Sequence, residues 1–237
     1  MKPDKAWARS SRSKRPSILT PGVINYVFCE GETTEIFYAM GIKSLAETLG
    51  RVVPGKLIID DSASGHGGKK LVQEVEKIID VKRKEFAKSS NNKIANVFIF
   101  FDDDGLGKNY TGAFLEIDRI NREEKQRKTG DQIVYHPCWS SYCFEEWLLL
   151  HFNYCETAFN EKTLEEKLSE CLGEKYDKTD PSIFKKVTGE SNVNLRKALN
   201  NAEKLNKAAK KHGDEHRNPS TGVPQFVKFF LPDAQKK

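Results

Sequence analysis

The sequence predicts an α/β fold: a mostly parallel sheet flanked by helices, with a helical C-terminal extension. Three observations carry this. Val23–Cys29 and residues 94–101 are near-continuous apolar runs rich in β-branched and aromatic residues, the pattern of strands buried on both faces. Segments with helical apolar spacing alternate with strand-like ones, and a β-α-β-α-β-α-β rhythm implies parallel pairing with helices on both faces. That rhythm stops near position 140, and the remainder reads as helices joined by polar loops.

In chain order, Val23–Cys29 (VINYVFC) is the first strand. Gly31 follows, Thr33 and Thr34 offer N-caps, and residues 36–49 carry helical spacing. Residues 56–59 form a short second strand that enters a Ser/Gly-rich turn at 62–68. Residues 71–86 repeat apolar positions at Leu71, Val75, Ile78 and Ile79, so a second helix is expected. The run at 94–101 (IANVFIFF) is the third strand and passes straight into Asp102, Asp103 and Asp104. Residues 113–126 read as a polar helix. Residues 133–135 read as a fourth strand ended by His136 and Pro137. A very apolar short helix at 144–152 follows. Further on, residues 195–209 place Leu195, Ala198, Leu199, Ala202 and Leu205 on one helical face.

The length of 237 residues accommodates one large domain or a main domain with an appendage. The expected organisation is a basic, disordered arm at 1–20, an α/β domain at 21–140 and a helical region at 141–237 packed on it. The arm carries Arg9, Arg12, Lys14 and Arg15 and lacks the apolar core of a secretory signal. No apolar run approaches the length of a membrane span, so no membrane association is expected. The five cysteines include no CxxC pair, which argues against a disulfide framework and for a reducing cytoplasm. A net charge of +5 is compatible with nucleic acid without requiring it.

The chemistry lies where the apolar strands end. Val23–Cys29 delivers Glu30, and the run at 94–101 delivers Asp102 to Asp104. Ligands of open α/β sheets bind beyond the carboxyl ends of the strands. Carboxylates gathered there repel one another unless a cation compensates. Mg²⁺, or Mn²⁺ with the same oxygen preference, suits such a site, because it takes one or two carboxylates and keeps its other positions for water and phosphate. Strand alternation points Asp102 and Asp104 to a common side and Asp103 away. Glu30, Asp102 and Asp104 are therefore the expected metal ligands.

Other positions are weaker signals. Glu145 and Glu146 open the apolar helix at 144–152; burying Glu145 there requires a partner or a metal, whereas Glu146 is expected on the surface. Glu35 reads as a first-turn helix acid and His151 as a hydrogen-bonded core residue. Residues 65–70 (GHGGKK) lack the Walker A spacing and read as a Gly-rich turn. Arg196, Lys204, Lys207, Lys210 and Lys211 share the second face of the helix at 195–209, where they can track a phosphate backbone.

The segments VFCEGETTE (27–35), IFFDDDG (99–105) and CFEEWLLLHF (143–152) resemble the hallmarks of RloB-type proteins, and YDKTDP (176–181) and NPSTGV (218–223) match further segments in order. The likeness runs over nearly the whole chain from about Val23. It implies kinship with the Toprim superfamily, whose sites use a Glu after the first strand and a D-x-D pair after a later one. Those positions fall on Glu30, Asp102 and Asp104. Asp103 stands where the family often has a basic residue. Glu145 matches the acid of the hallmark helix and joins the three as an implied catalytic residue. The resemblance further implies a metal-dependent nuclease acting on RNA or DNA, an AAA-type (RloA-like) ATPase partner and a role in abortive infection against phage. Lys178 and Arg217, in or beside the family-like segments, join the basic helix as implied nucleic-acid contacts. The alternative is a non-catalytic nucleic-acid-binding or sensor subunit of an ATPase complex.

Overall fold

In a computed structural model the described residues are 22–89, 92–103, 108–128, 130–211 and 218–234. The predicted arm at 1–20 lies outside them. The described elements are β1 (Val23–Cys29), α1 (Thr34–Thr48), β2 (Leu57–Asp60), α2 (Gly68–Ser89), β3 (Lys93–Asp102), α3 (Lys108–Gln126) and β4 (Val134–Ser140). They are followed by α4 (Glu145–Leu149), α5 (Glu161–Leu172), α6 (Ile183–Thr188), α7 (Val193–Lys211) and α8 (Val223–Phe230). The strands form one all-parallel sheet in the order β2-β1-β3-β4. The α/β class expected from the apolar runs and their rhythm is the class observed.

The two central strands explain why their sequences are apolar throughout. Successive side chains of a strand point to opposite faces, and here both faces are covered. Val27 and Cys29 of β1, with Phe98 and Phe100 of β3, enter a core shared with α1 and the C-terminal helices α4 to α8. Tyr26 and Phe28, with Val97, Ile99 and Phe101, enter a second core under α2 and α3. Each fully buried aromatic or aliphatic side chain contributes about 1.5–3 kcal/mol. The two layers therefore fix the register of β1 on β3, Val27 opposite Phe98 and Cys29 opposite Phe100.

Two elements differ from the sequence reading. β4 does not stop at His136-Pro137 but runs on to Ser140, pairing Pro137 with Ile99 and Ser140 with Asp102. It is an edge strand, the position in which a proline costs a sheet least. At its last residue, Ser140 forms an isolated antiparallel bridge with Thr221, so the NPSTGV segment meets the open side of the strand there. The second difference is α4, only five residues long with all five buried. It is wedged between the sheet and the C-terminal helices, and Trp147 is fully enclosed.

The strand order creates one privileged position. From β1 the chain moves outward to β2, and from β3 it moves outward the other way to β4. The connecting helices α1 and α3 pack on opposite faces. Between the carboxyl ends of β1 and β3 the chain diverges to both sides, leaving the crevice in which open α/β sheets bind ligands. All five cysteines are free. Among the described residues no helix is long and apolar enough to cross a membrane.

Candidate functional site

Glu30 and Asp102 occupy that crevice. The β1–β3 ladder extends one residue past β1, where the Glu30 N–H donates to the Phe100 carbonyl at 3.0 Å. The Glu30 side chain then turns across the sheet edge. Its Oε2 accepts from the Asp102 amide at 3.3 Å and from the Gly68 amide at 3.5 Å. The Ser/Gly-rich turn is the clamp for this conformation. Gly65 N–H donates to the Glu30 carbonyl at 2.9 Å, and a Cβ on Gly67 would lie 2.8 Å from Glu30 Oε1. The glycines at 65–68 thus hold a carboxylate of the chain itself rather than an external phosphate. Asp102 is fixed from the other layer, where its Oδ2 accepts from the Phe144 amide at 3.1 Å.

These two carboxylates line a cleft of about 420 Å³ together with Glu35, Glu145, Cys143 and Lys178. Glu145 is buried and tied down by distant parts of the chain: Tyr176 O–H donates to its Oε1 at 2.9 Å, and Lys178 Nζ stands 3.6 Å from the same oxygen. Lys178 also pairs with Glu161, and with Glu165 at 3.4 Å. Burial alone would lower the Lys178 pKa; the hydrogen bond to Glu161 and the charge of Glu145 outweigh it and raise it. The ammonium is a permanent positive charge in an acidic cleft.

Glu35, which the sequence suggested as a helix-end acid, belongs to the site. It is buried, and its pKa is raised, first by that burial and then by the Glu145 charge. Hydrogen bonds from the Glu35 and Gly31 amides, and the charge of Lys178, oppose the rise. Gly31 makes room for it: a Cβ there would fall 2.3 Å from a Glu35 carboxylate oxygen. Thr34, expected as a cap, instead donates its hydroxyl to the Lys178 carbonyl at 3.0 Å and so docks the YDKTDP segment on the cleft.

Asp104 and Arg217 lie outside the described residues, so the set Glu30, Asp102 and Asp104 is described for its first two members only. Among the described residues no group of three or more His, Cys, Asp or Glu is placed to hold a metal ion. Glu146 is not on the surface as expected. It is buried behind the cleft, accepts from Ser141 Oγ at 3.2 Å, and burial pushes its carboxyl up to about 8 against that bond. A five-residue helix enclosed on all sides has no solvent face to offer it. His151 is a core residue, in agreement with the sequence: Tyr38 O–H lies 3.1 Å from its Nε2, its Nδ1 faces the Trp147 carbonyl, and burial lowers its pKa to about 4.

The basic residues border different parts of the surface. Lys178 is in the cleft. Arg196 borders a separate cavity with Arg51 and Asp233, and Lys204 sits over the Tyr154 ring at 5.9 Å. Lys207 and Lys210 line a groove with Lys228, and Lys211 is exposed at the end of α7.

The donor set fits a hard cation. Glu30 and Asp102 offer carboxylate oxygens on one open wall, the number that Mg²⁺ takes from proteins. Among the described residues of the wall the soft donor is Cys143, held as the neutral thiol, chiefly by burial and further by the charges of Glu145 and Asp102.

A family model described as RloB-like protein matches residues 25–230, most of the chain. No curated protein and no solved structure matches.

Proposed function

The chain belongs to the RloB-like family, and from that membership and the geometry of the cleft we propose that it is a Toprim-type, metal-dependent nuclease that cleaves phosphodiester bonds of RNA or DNA. The observation that supports this most is the pairing of Glu30 with Asp102 at the carboxyl ends of the two central parallel strands, within one cleft. Glu30 and Asp102 would hold Mg²⁺ or Mn²⁺. A divalent ion there supplies Lewis-acid polarisation of the scissile phosphate.

The chain's own groups do the rest. The Asp102 and Gly68 amides orient the Glu30 carboxylate, and the Phe144 amide orients Asp102, so neither must reorganise when a phosphate arrives. Lys178 offsets the surplus negative charge and offers a cation to the entering phosphate. Glu35, with its raised pKa, can hold and release a proton beside the reacting centre. By the same family membership we propose a role in abortive infection against phage, with an AAA-type ATPase as partner.

The direct test is degradation of end-labelled RNA, single-stranded DNA and duplex DNA by the purified chain, with Mg²⁺, Mn²⁺ or EDTA, alone and with the ATPase. Cleavage that requires the metal supports the reading; no cleavage of any substrate in the presence of both metal and partner overturns it. A second reading, a non-catalytic nucleic-acid-binding or sensor subunit, is favoured by one feature, the Lys178 ammonium that already compensates Glu145. Binding in EDTA without cleavage in any metal would select it.

Gly31 gives a milder test of positioning. Gly31→Ala is expected to push the Glu35 carboxylate off its seat and lower the cleavage rate about ten- to a hundredfold. The displaced group is the end of a flexible side chain, so the melting temperature should change little. Rate and thermal unfolding measured on the same preparation check both halves.

A further inference from the structure

On the far side of β4 lies a groove of about 590 Å³ that the cleft chemistry does not use. Its walls come from α3, β4, α7 and α8. Its lining includes an aromatic pair, Trp139 of β4 and Phe114 of α3, edge to face with centroids 5.4 Å apart. Both are half-buried rather than sealed in the core. Trp139 is held in place: the Gly222 amide donates to its carbonyl at 2.8 Å, and a Cβ on Gly222 would lie 2.0 Å from the indole ring. The glycine of the NPSTGV segment is thereby explained as the surface against which the indole lies.

Three lysines, Lys207, Lys210 and Lys228, line the same groove. Two carboxylates, Asp118 and Glu203, line it as well, and Glu203 is bound to Lys207 at 2.8 Å, which leaves a positive excess. The groove and the cleft share no lining residue, but they flank the same end of the sheet. Trp139 is the register partner of Phe101, and the next pair is Ser140 with Asp102. Neighbouring strands are about 5 Å apart, so a chain leaving the groove arrives at the Asp102 end of the sheet within a short span.

We propose that this groove binds the substrate strand as a single strand, with an unpaired base stacked on Trp139 and the flanking phosphates on Lys207, Lys210 and Lys228. Rings that take a base face on one side and cations that track phosphates on the other are the two ingredients of single-strand binding. A base inside a duplex has both faces covered by its neighbours and cannot enter a concave groove without being turned out. The inference deepens the nuclease reading, on which the identity of the ligand rests, by naming the class of substrate as single-stranded.

The test is equilibrium binding by fluorescence anisotropy with the full chain in EDTA. The probes are a short single-stranded RNA, the same sequence as DNA, its duplex, and an abasic strand of equal length. The single strands should bind more tightly than the duplex and the abasic strand. Trp139→Ala should weaken single-strand binding roughly tenfold or more, the worth of one stacked base, while Trp139→Phe keeps most of it. Equal affinity for all four probes overturns the proposal, as does unchanged binding by a folded Trp139→Ala protein. If Trp139→Ala does not fold, the double variant Lys207→Glu with Lys210→Glu decides, since both side chains are exposed; unaltered binding there overturns it too. Metal-dependent cleavage that persists while groove variants bind normally removes the groove and leaves the cleft reading. Groove-dependent binding with no cleavage in any divalent metal does the reverse.

Discussion

Alanine in place of Glu30 or of Asp102 is expected to reduce metal-dependent cleavage at least about a thousandfold while the protein stays folded. The size follows from geometry. If Glu30 and Asp102 together hold the cation, removing one leaves a single carboxylate of that pair, and both polarisation of the phosphate and its alignment are lost together. Survival of the fold follows from position. Both residues stand past the cores, at the open edge, and the contacts forfeited include amide hydrogen bonds from Asp102, Gly68 and Phe144. Each such bond is worth about 0.5–1.5 kcal/mol, or somewhat more to a charged acceptor. Glu30→Gln separates charge from shape: the amide oxygen can still accept from Asp102 and Gly68, yet it cannot replace a carboxylate ligand. Activity retained by either alanine variant, purified and folded, would remove the assignment.

The second large effect concerns stability rather than chemistry. Glu146 is buried and its carboxyl is pushed up to about 8, chiefly by burial, so the folded chain holds that proton at neutral pH and the unfolded chain does not. A group that binds its proton more tightly when folded loses stability as pH rises. The contribution is therefore full below about pH 4, where both states are protonated, and drains away until about pH 8. Every tenfold gain in proton affinity on folding is worth about 1.4 kcal/mol, so the total loss is on the order of a few kcal/mol. Glu146→Gln keeps the shape and cannot ionise. It should unfold at nearly the wild-type temperature near pH 5 and several degrees higher at pH 8.5. Parallel melting curves with the same difference at both pH values would contradict a buried, proton-holding Glu146. The raised pKa of Glu35 acts in the same direction, so the wild-type slope should exceed what Glu146 alone explains.

The sheet was legible because its central strands are buried on both faces, and a run such as IANVFIFF has no other comfortable place. Glu30 and Asp102 were legible for the same reason: an acid immediately after such a run can only stand at the sheet's edge. What could not be read is whatever long-range packing decides. Tyr176 and Lys178 meet Glu145 from more than 30 residues away, and no local spacing announces that contact. Glu35 looked like an ordinary first-turn acid, because the same residue type suits a helix N-terminus and a buried site. Glu146 was misplaced because periodicity presumes a helix with a wet face, which α4 lacks. Pro137 suggested the end of a strand when it only marked an edge. That Arg196 and Lys210 of α7 border different cavities, about 20 Å apart along the helix, likewise depends on what packs beside them.

Everything proposed for the cleft depends on Glu30 and Asp102 sharing a divalent cation. A crystal soaked in Mn²⁺ and measured at the manganese absorption edge reads this out without reference to any substrate. An anomalous peak is expected in the cleft within bonding distance, about 2.2 Å, of a carboxylate oxygen from each of the two residues, and it should vanish in Glu30→Ala. Manganese bound elsewhere on the chain, or a cleft without metal in crystals of a protein that still cleaves its substrate, would show that the two carboxylates do not hold the ion.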